Sequence, residues 1–137
     1  MGSRWIPSGQ RFLIISRKPS AWTSTAQQIR LATAKQEQVP ADLVLAPGVA
    51  PAYVAVSVRD AGCGIPPENM TRIFEPFFTT KALSARRGTG LGLSMVYELA
   101  KKMEAGLAVE SVVGTGSVFT LLLPARDVSS EEPKAVI

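Results

Sequence analysis

The sequence predicts an α/β fold. Three observations carry the prediction: two segments with strand alternation, one segment with helical periodicity, and a pair of strand-like runs joined by a glycine turn. The alternating segments are "QQIRLATA", with Ile29, Leu31 and Thr33 set against Gln28, Arg30 and Ala32, and "AYVAVSVRD", with Val54, Val56 and Val58 set against Tyr53, Ala55 and Ser57. From Leu91 to Met103 the apolar residues Leu93, Val96, Tyr97, Ala100 and Met103 recur at three and four, which is one face of a helix. "LAVES" at 107–111 and "SVFTLLL" at 117–123 flank Gly114 and Gly116, the pattern of a hairpin closed at its far end by Pro124.

Each element has a local cause. "RFLIIS" at 11–16 reads as a short strand isolated between Gly9 and Pro19. Pro40, Pro47, Gly48 and Pro51 punctuate a long excursion between the strand at 27–33 and the strand at 53–59. The valines of the second strand are expected to be its buried face. A helical turn over 67–73 suits Pro67 at its first position and Glu68 at its positive end. Lys101 and Lys102 stand in the last turn of the 91–103 helix, where cations complement the dipole.

Length and composition bound the function. The 137 residues suffice for one domain with one core, and 46% apolar with 19% charged side chains is a globular composition. No apolar run approaches the ~20 residues that span a bilayer. The single cysteine, Cys63, excludes an internal disulfide. Without histidine, the chain has neither the commonest metal ligand and acid-base group nor a phosphoacceptor histidine of its own.

Charge is unevenly placed. Residues 1–36 carry six basic side chains and no acidic one, and the remainder carries nine basic and eleven acidic. Such a start reads as an unstructured leader, a targeting peptide, a nucleic-acid arm or a mis-framed segment. The last dozen residues, with Ser129, Ser130, Glu131, Glu132 and Pro133, read as a solvated tail.

Three clusters stand in order: "DAGCGI" at 60–65, "FEPFFTTK" at 74–81 and "GTGLGLS" at 88–94. Asp60 ends a strand, so its carboxylate is presented at the sheet rim. There it accepts hydrogen bonds from an exocyclic amine such as that of adenine, while Gly62 and Gly64 let the backbone approach a flat base. An ordinary turn after a strand accounts for the same residues. Gly88, Gly90 and Gly92 precede a helix whose positive end favours an anion, with Lys81, Arg86 and Arg87 nearby. They are a phosphate cradle or a hinge, and neither G-x-G-x-x-G nor the P-loop pattern fits them. Phe74, Phe77 and Phe78 are costly to leave in water, so the second cluster reads as an anchored lid or a satellite core.

These motifs, with "GTGLGLSMVYELAKKM" and "LAVESVVGTGSVFTLLLP", closely resemble the distal portion of the ATP-binding domain of bacterial sensor histidine kinases. That domain sits within the gyrase, chaperone, histidine kinase and mismatch-repair ATPase superfamily. The resemblance implies a two-layer α/β sandwich with a mixed, mainly antiparallel sheet, incomplete at its N-terminal side. It divides the chain into a basic leader at 1–26, a partial ATP-binding domain at 27–124 and a tail at 125–137. Nucleotide-binding positions implied by it are Asp60, Gly62, Gly64, Ile65, Phe74, Phe77, Phe78, Lys81, Gly88, Thr89, Gly90, Leu91, Gly92 and Leu93. The implied cofactor is ATP with Mg2+. The implied partners are a phosphoacceptor histidine domain and a response regulator on other segments or chains, at a cytoplasmic location.

Departures from the pattern matter as much. The family's metal-holding asparagine lies on a helix before the adenine box, whereas the one asparagine here, Asn69, follows it. Glu104 and Ala105 replace a frequent glycine pair before the hairpin. The expectation is a kinase-type module, truncated and inactive alone. A non-catalytic regulatory module and an ATP-hydrolysing switch of the gyrase or chaperone kind are the other readings. The leader makes nucleic acid a remote one.

Overall fold

The structure, a computed structural model, describes residues 11–16, 28–79 and 90–125. Five strands form one sheet: β1 (Arg11–Ser16), β2 (Gln28–Gln36), β3 (Ala52–Asp60), β4 (Gly106–Val112) and β5 (Gly116–Ala125), in the order β1-β2-β3-β5-β4. A 3-10 turn at Pro67–Asn69 and the helix α1 (Gly92–Lys102) complete the described elements. The α/β prediction holds. The sheet differs from the mixed one expected, because every ladder among the described residues is antiparallel. The connection after Asp60 delivers β4, and its hairpin partner β5 turns back beside β3, so no parallel pair is needed.

Residues 11–16 are not isolated. They pair with β2 from Arg11↔Thr33 to Ser16↔Gln28, adding an outer strand to the four-stranded part made by β2, β3, β5 and β4. The rest of the expected leader, 1–10 and 17–26, and the tail from 126 onward lie outside the described residues.

Register fixes the two sheet faces. Tyr53, Ala55 and Leu122 share one face and are buried, and Leu43 and Ala50 from the excursion between β2 and β3 pack on them. The Tyr53 hydroxyl donates to the Gly48 carbonyl at 3.0 Å and accepts the Ala50 N–H at 3.1 Å, tying that excursion to the sheet. Burying Leu122, which is fully enclosed, contributes about 2 kcal/mol. The expected valine face is therefore not the buried one: Val54 and Val58 are 38% and 40% exposed. The reason is long-range. The proline-rich excursion covers the Tyr53 face, whereas α1 packs mainly against β4 among the strands.

Helix α1 follows its predicted range closely. Ala100 is buried, Leu93 and Tyr97 are half-buried on the same side, and Val96 and Met103 of the predicted apolar stripe are exposed. Its end is a Schellman cap: the Ala105 N–H donates to the Ala100 carbonyl at 2.9 Å and the Glu104 N–H to the Lys101 carbonyl at 3.2 Å. Glu104 takes φ 55° there, the left-handed conformation that usually falls to glycine.

Candidate functional site

The first cluster is built on the tip of the β4–β5 hairpin. Asp60 is the last residue of β3 and pairs with Ile29 and Ser117 on either side, so its half-buried carboxylate is fixed at the sheet rim. Its Oδ1 accepts the Gly62 N–H at 2.8 Å, a local turn that strands and helices do not make. A carboxylate accepts about four hydrogen bonds, so capacity remains for an amine.

Beyond the turn, two hydrogen bonds hold the glycine segment to the hairpin. The Gly114 N–H donates to the Cys63 carbonyl at 2.8 Å, and the Ile65 N–H donates to Ser111 Oγ at 2.7 Å. Gly64 adopts φ 76°, and a Cβ there would strike the Val112 carbonyl oxygen. Only glycine meets both demands. Cys63, between the two glycines, is exposed.

The second cluster joins the phenylalanine segment to the start of α1. The Phe77 N–H donates to the Gly90 carbonyl at 2.8 Å. Gly90 has φ 70°, and a Cβ there would lie 2.7 Å from Phe77 Cα. Phe77 itself has φ 64°, which is an outlier for a bulky side chain. The Phe74 ring stands 5.8 Å from that of Tyr97 at 44°, and the Arg72 guanidinium lies 4.6 Å above the Phe78 ring. Two of the three phenylalanines are thus anchored. Phe77 is not, being 73% exposed, because the backbone bond to Gly90 holds its Cα and leaves the ring outside.

Leu91 caps α1 without a side-chain hydrogen bond to the first-turn amides, the arrangement that leaves a helix start receptive to an anion. Gly92 opens the helix with nothing within 4 Å of where a Cβ would stand, and Leu93 is half-buried. Lys81, Gly88 and Thr89, with Arg86 and Arg87, lie outside the described residues. A groove of about 180 Å3 lies on the opposite sheet face between Ser57, Thr120 and the Pro40–Asp42 segment, and Asp60 takes no part in it.

A model of the family described as histidine kinase-, DNA gyrase B- and HSP90-like ATPase matches residues 26–127. The chain belongs to this family. Its relatives within this ATPase family are sensor histidine kinases. It is 49% identical over 72 residues to the sensor kinase CckA of Brucella abortus, covering 53% of this chain and 7% of that protein. It is 39% identical over 79 residues to sporulation kinase E of Bacillus subtilis, covering 58% of this chain and 10% of that protein. The chain thus spans a tenth or less of the length of these relatives. A solved structure, the mycobacterial sensor histidine kinase MprB, aligns with TM-score 0.47 at 29% identity, over 58% of this chain and 52% of that one.

Members of the family bind ATP with Mg2+. The donor set at Asp60 fits the base of such a nucleotide, since a fixed carboxylate beside two glycines offers acceptors and a close backbone. That fit concerns the base of the nucleotide. Among the described residues no three His, Cys, Asp or Glu side chains converge into a metal site. Asn69 sits in the turn after the Asp60–Ile65 segment, where its carbonyl accepts the Arg72 and Ile73 amides. No described helix is long and apolar enough to cross a membrane.

Sequence reasoning overlooked Ser111, Ser117 and Arg72, and placed Tyr97 on the apolar face of the helix without its Phe74 contact. Ser111 and Ser117 face one another across the hairpin, a pairing that follows from a three-residue turn between Val112 and Gly116. The signal was present in the hairpin register.

Proposed function

We propose that the chain is the nucleotide-binding module of a sensor histidine kinase, in which ATP donates its γ-phosphoryl group to a histidine of another domain or chain. The observation that carries this reading is the Asp60 carboxylate, held at the sheet rim with Oδ1 turned to Gly62 and the glycine segment tied to the hairpin. Asp60 would take the exocyclic amine of adenine, and Gly62, Gly64 and Ile65 would line the base. The Phe77–Gly90 connection would carry the lid, with the start of α1 towards the phosphates, and the family resemblance assigns Lys81, Gly88 and Thr89 to the same nucleotide. Mg2+, when bound, shields charge on the transferring group. The residues of this chain hold and orient the nucleotide, which is the protein's larger task in such transfers.

The chain alone is not competent for transfer in this reading. It contains no histidine to receive the phosphoryl group. The acceptor domain and a response regulator are supplied by other segments or chains.

A radiolabelled-ATP assay tests both halves. Binding of Mg·ATP to the 137-residue chain, abolished in Asp60→Ala, with no label retained on the protein, is the expected result. Covalent label on the isolated chain would overturn the second half. The place of Asn69, after the Asp60–Ile65 segment rather than before it, also suits a regulatory module that has kept the fold without its catalysis. Exposed Cys63 separates the two, because bound ATP slows its alkylation in the first reading and leaves it unchanged in the second.

A further inference from the structure

We propose that Ser111 is a positioning residue of the nucleotide site, which fixes the adenine segment to the hairpin and sets the polarity of Ser117 beside Asp60. The inference rests on the nucleotide reading above and concerns how that site recognises its base.

Proton counting carries it. Ser111 Oγ has three partners: the Ile65 N–H at 2.7 Å, the Gly116 carbonyl at 3.1 Å and Ser117 Oγ at 2.8 Å. An amide N–H only donates and a carbonyl oxygen only accepts, so the single Ser111 proton goes to Gly116. With Ser111 donating to Gly116, both lone pairs are engaged, one by Ile65 and the other by the Ser117 hydroxyl, which donates in the serine pair. Ser117 is 5% exposed and stands opposite Asp60 in the β3–β5 ladder. With its proton committed to Ser111, Ser117 has only acceptor lone pairs left.

Asp60 is an acceptor as well. The rim at the end of β3 therefore presents acceptors from two neighbouring strands. A purine with an exocyclic amine satisfies such a rim. A purine with a 6-oxo group places acceptor against acceptor. Sites that hydrogen-bond a substrate group discriminate strongly against the analogue that lacks it, because their own polar atoms are left unpaired. Ser111 contributes without touching the base: its hydroxyl orients Ser117 and, through Ile65, holds the glycine segment that the base would lie against.

The test compares ATP with ITP, which differs in carrying the 6-oxo group, for the 137-residue chain and for Ser111→Ala and Ser111→Thr. Ser111→Ala should weaken ATP binding about tenfold and narrow the ATP-to-ITP ratio, because the freed Ser117 hydroxyl can turn and donate. Ser111→Thr retains the hydroxyl and should keep both values within about twofold of the parent. Hydrogen exchange at the Ile65 amide should accelerate in the alanine variant alone, and circular dichroism would show whether that variant is folded. An alanine variant that is folded and keeps the parent's affinity and ratio overturns the inference. So does a threonine variant that loses the ratio as fully as alanine does. If the parent chain binds neither nucleotide, the functional reading falls and this inference falls with it.

Discussion

The Phe77 amide donates to the Gly90 carbonyl at 2.8 Å, and each of these residues has a left-handed backbone, with φ 64° and 70°. This one bond joins the phenylalanine segment to the entry of α1. Two strained or permissive residues meeting at one contact is how a hinge is pinned without burying much surface. Gly90→Ala is expected to destabilise the chain by about 1–3 kcal/mol, since it meets both an unfavourable φ and the Phe77 backbone. Urea unfolding measures the loss, and a midpoint equal to the parent's would refute the pinning.

Phe77 permits a sharper test. Its ring is 73% exposed, so Phe77→Ala should change stability by no more than about 0.5 kcal/mol. If the ring serves the nucleotide, the same substitution lowers ATP affinity. A stability loss without an affinity loss would instead make Phe77 part of a packed cluster.

Asp60→Asn keeps an oxygen for the Gly62 N–H, so the local turn should survive. What it removes is the charge and one acceptor towards an incoming amine. A hydrogen bond to a charged group contributes about 1.5–3 kcal/mol, so ATP affinity should fall by between about tenfold and a hundredfold. Isothermal titration, paired with an unchanged circular dichroism spectrum, checks this.

Glu104 occupies the left-handed position of the Schellman cap after α1. Glu104→Gly should raise stability by about 1 kcal/mol, the relief of a side chain at positive φ less the added freedom of the unfolded chain. Thermal unfolding would register it as an increase in Tm, and a decrease would show that the Glu104 side chain makes a compensating contact beside Gly48.

Tyr53 and Val54 are neighbours with opposite expected responses. Tyr53→Phe removes the hydroxyl that bridges Gly48 and Ala50, and should cost about 1–2 kcal/mol. Val54→Thr, at a position 38% exposed, should stay within about 0.5 kcal/mol. Chemical denaturation of both variants decides whether the burial assignment of β3 is right.

That assignment also shows what the sequence could and could not disclose. Alternation in 52–60 announced a strand, but period two is blind to which face is covered. The answer depended on Leu43 and Ala50, which arrive from an irregular proline-rich segment with no period to read. The strand at 11–16 was legible as a strand, and its pairing with β2 was not, because ladders between strands leave no local trace. Asp60, Gly64 and Gly90 were readable as special positions from residue type alone. Phe77 was misread as anchored, since hydrophobicity predicts burial only where the backbone allows it. Ser111 passed unnoticed because a serine in a strand carries no signal until hairpin register sets it beside Ile65 and Ser117.

The sheet order has a kinetic consequence. The central ladder joins residues 52–60 to residues 117–125, and both clusters of the candidate site lie in the stretch of chain that this ladder closes. Closure of so long a loop is entropically costly and is slow to reward the chain. During synthesis, Asp60 therefore has no fixed neighbour on one side until β5 has left the ribosome. Nucleotide capture is expected as a late event that reports completion of the sheet, and a ligand present during refolding would speed little before β5 docks and then hold what has formed.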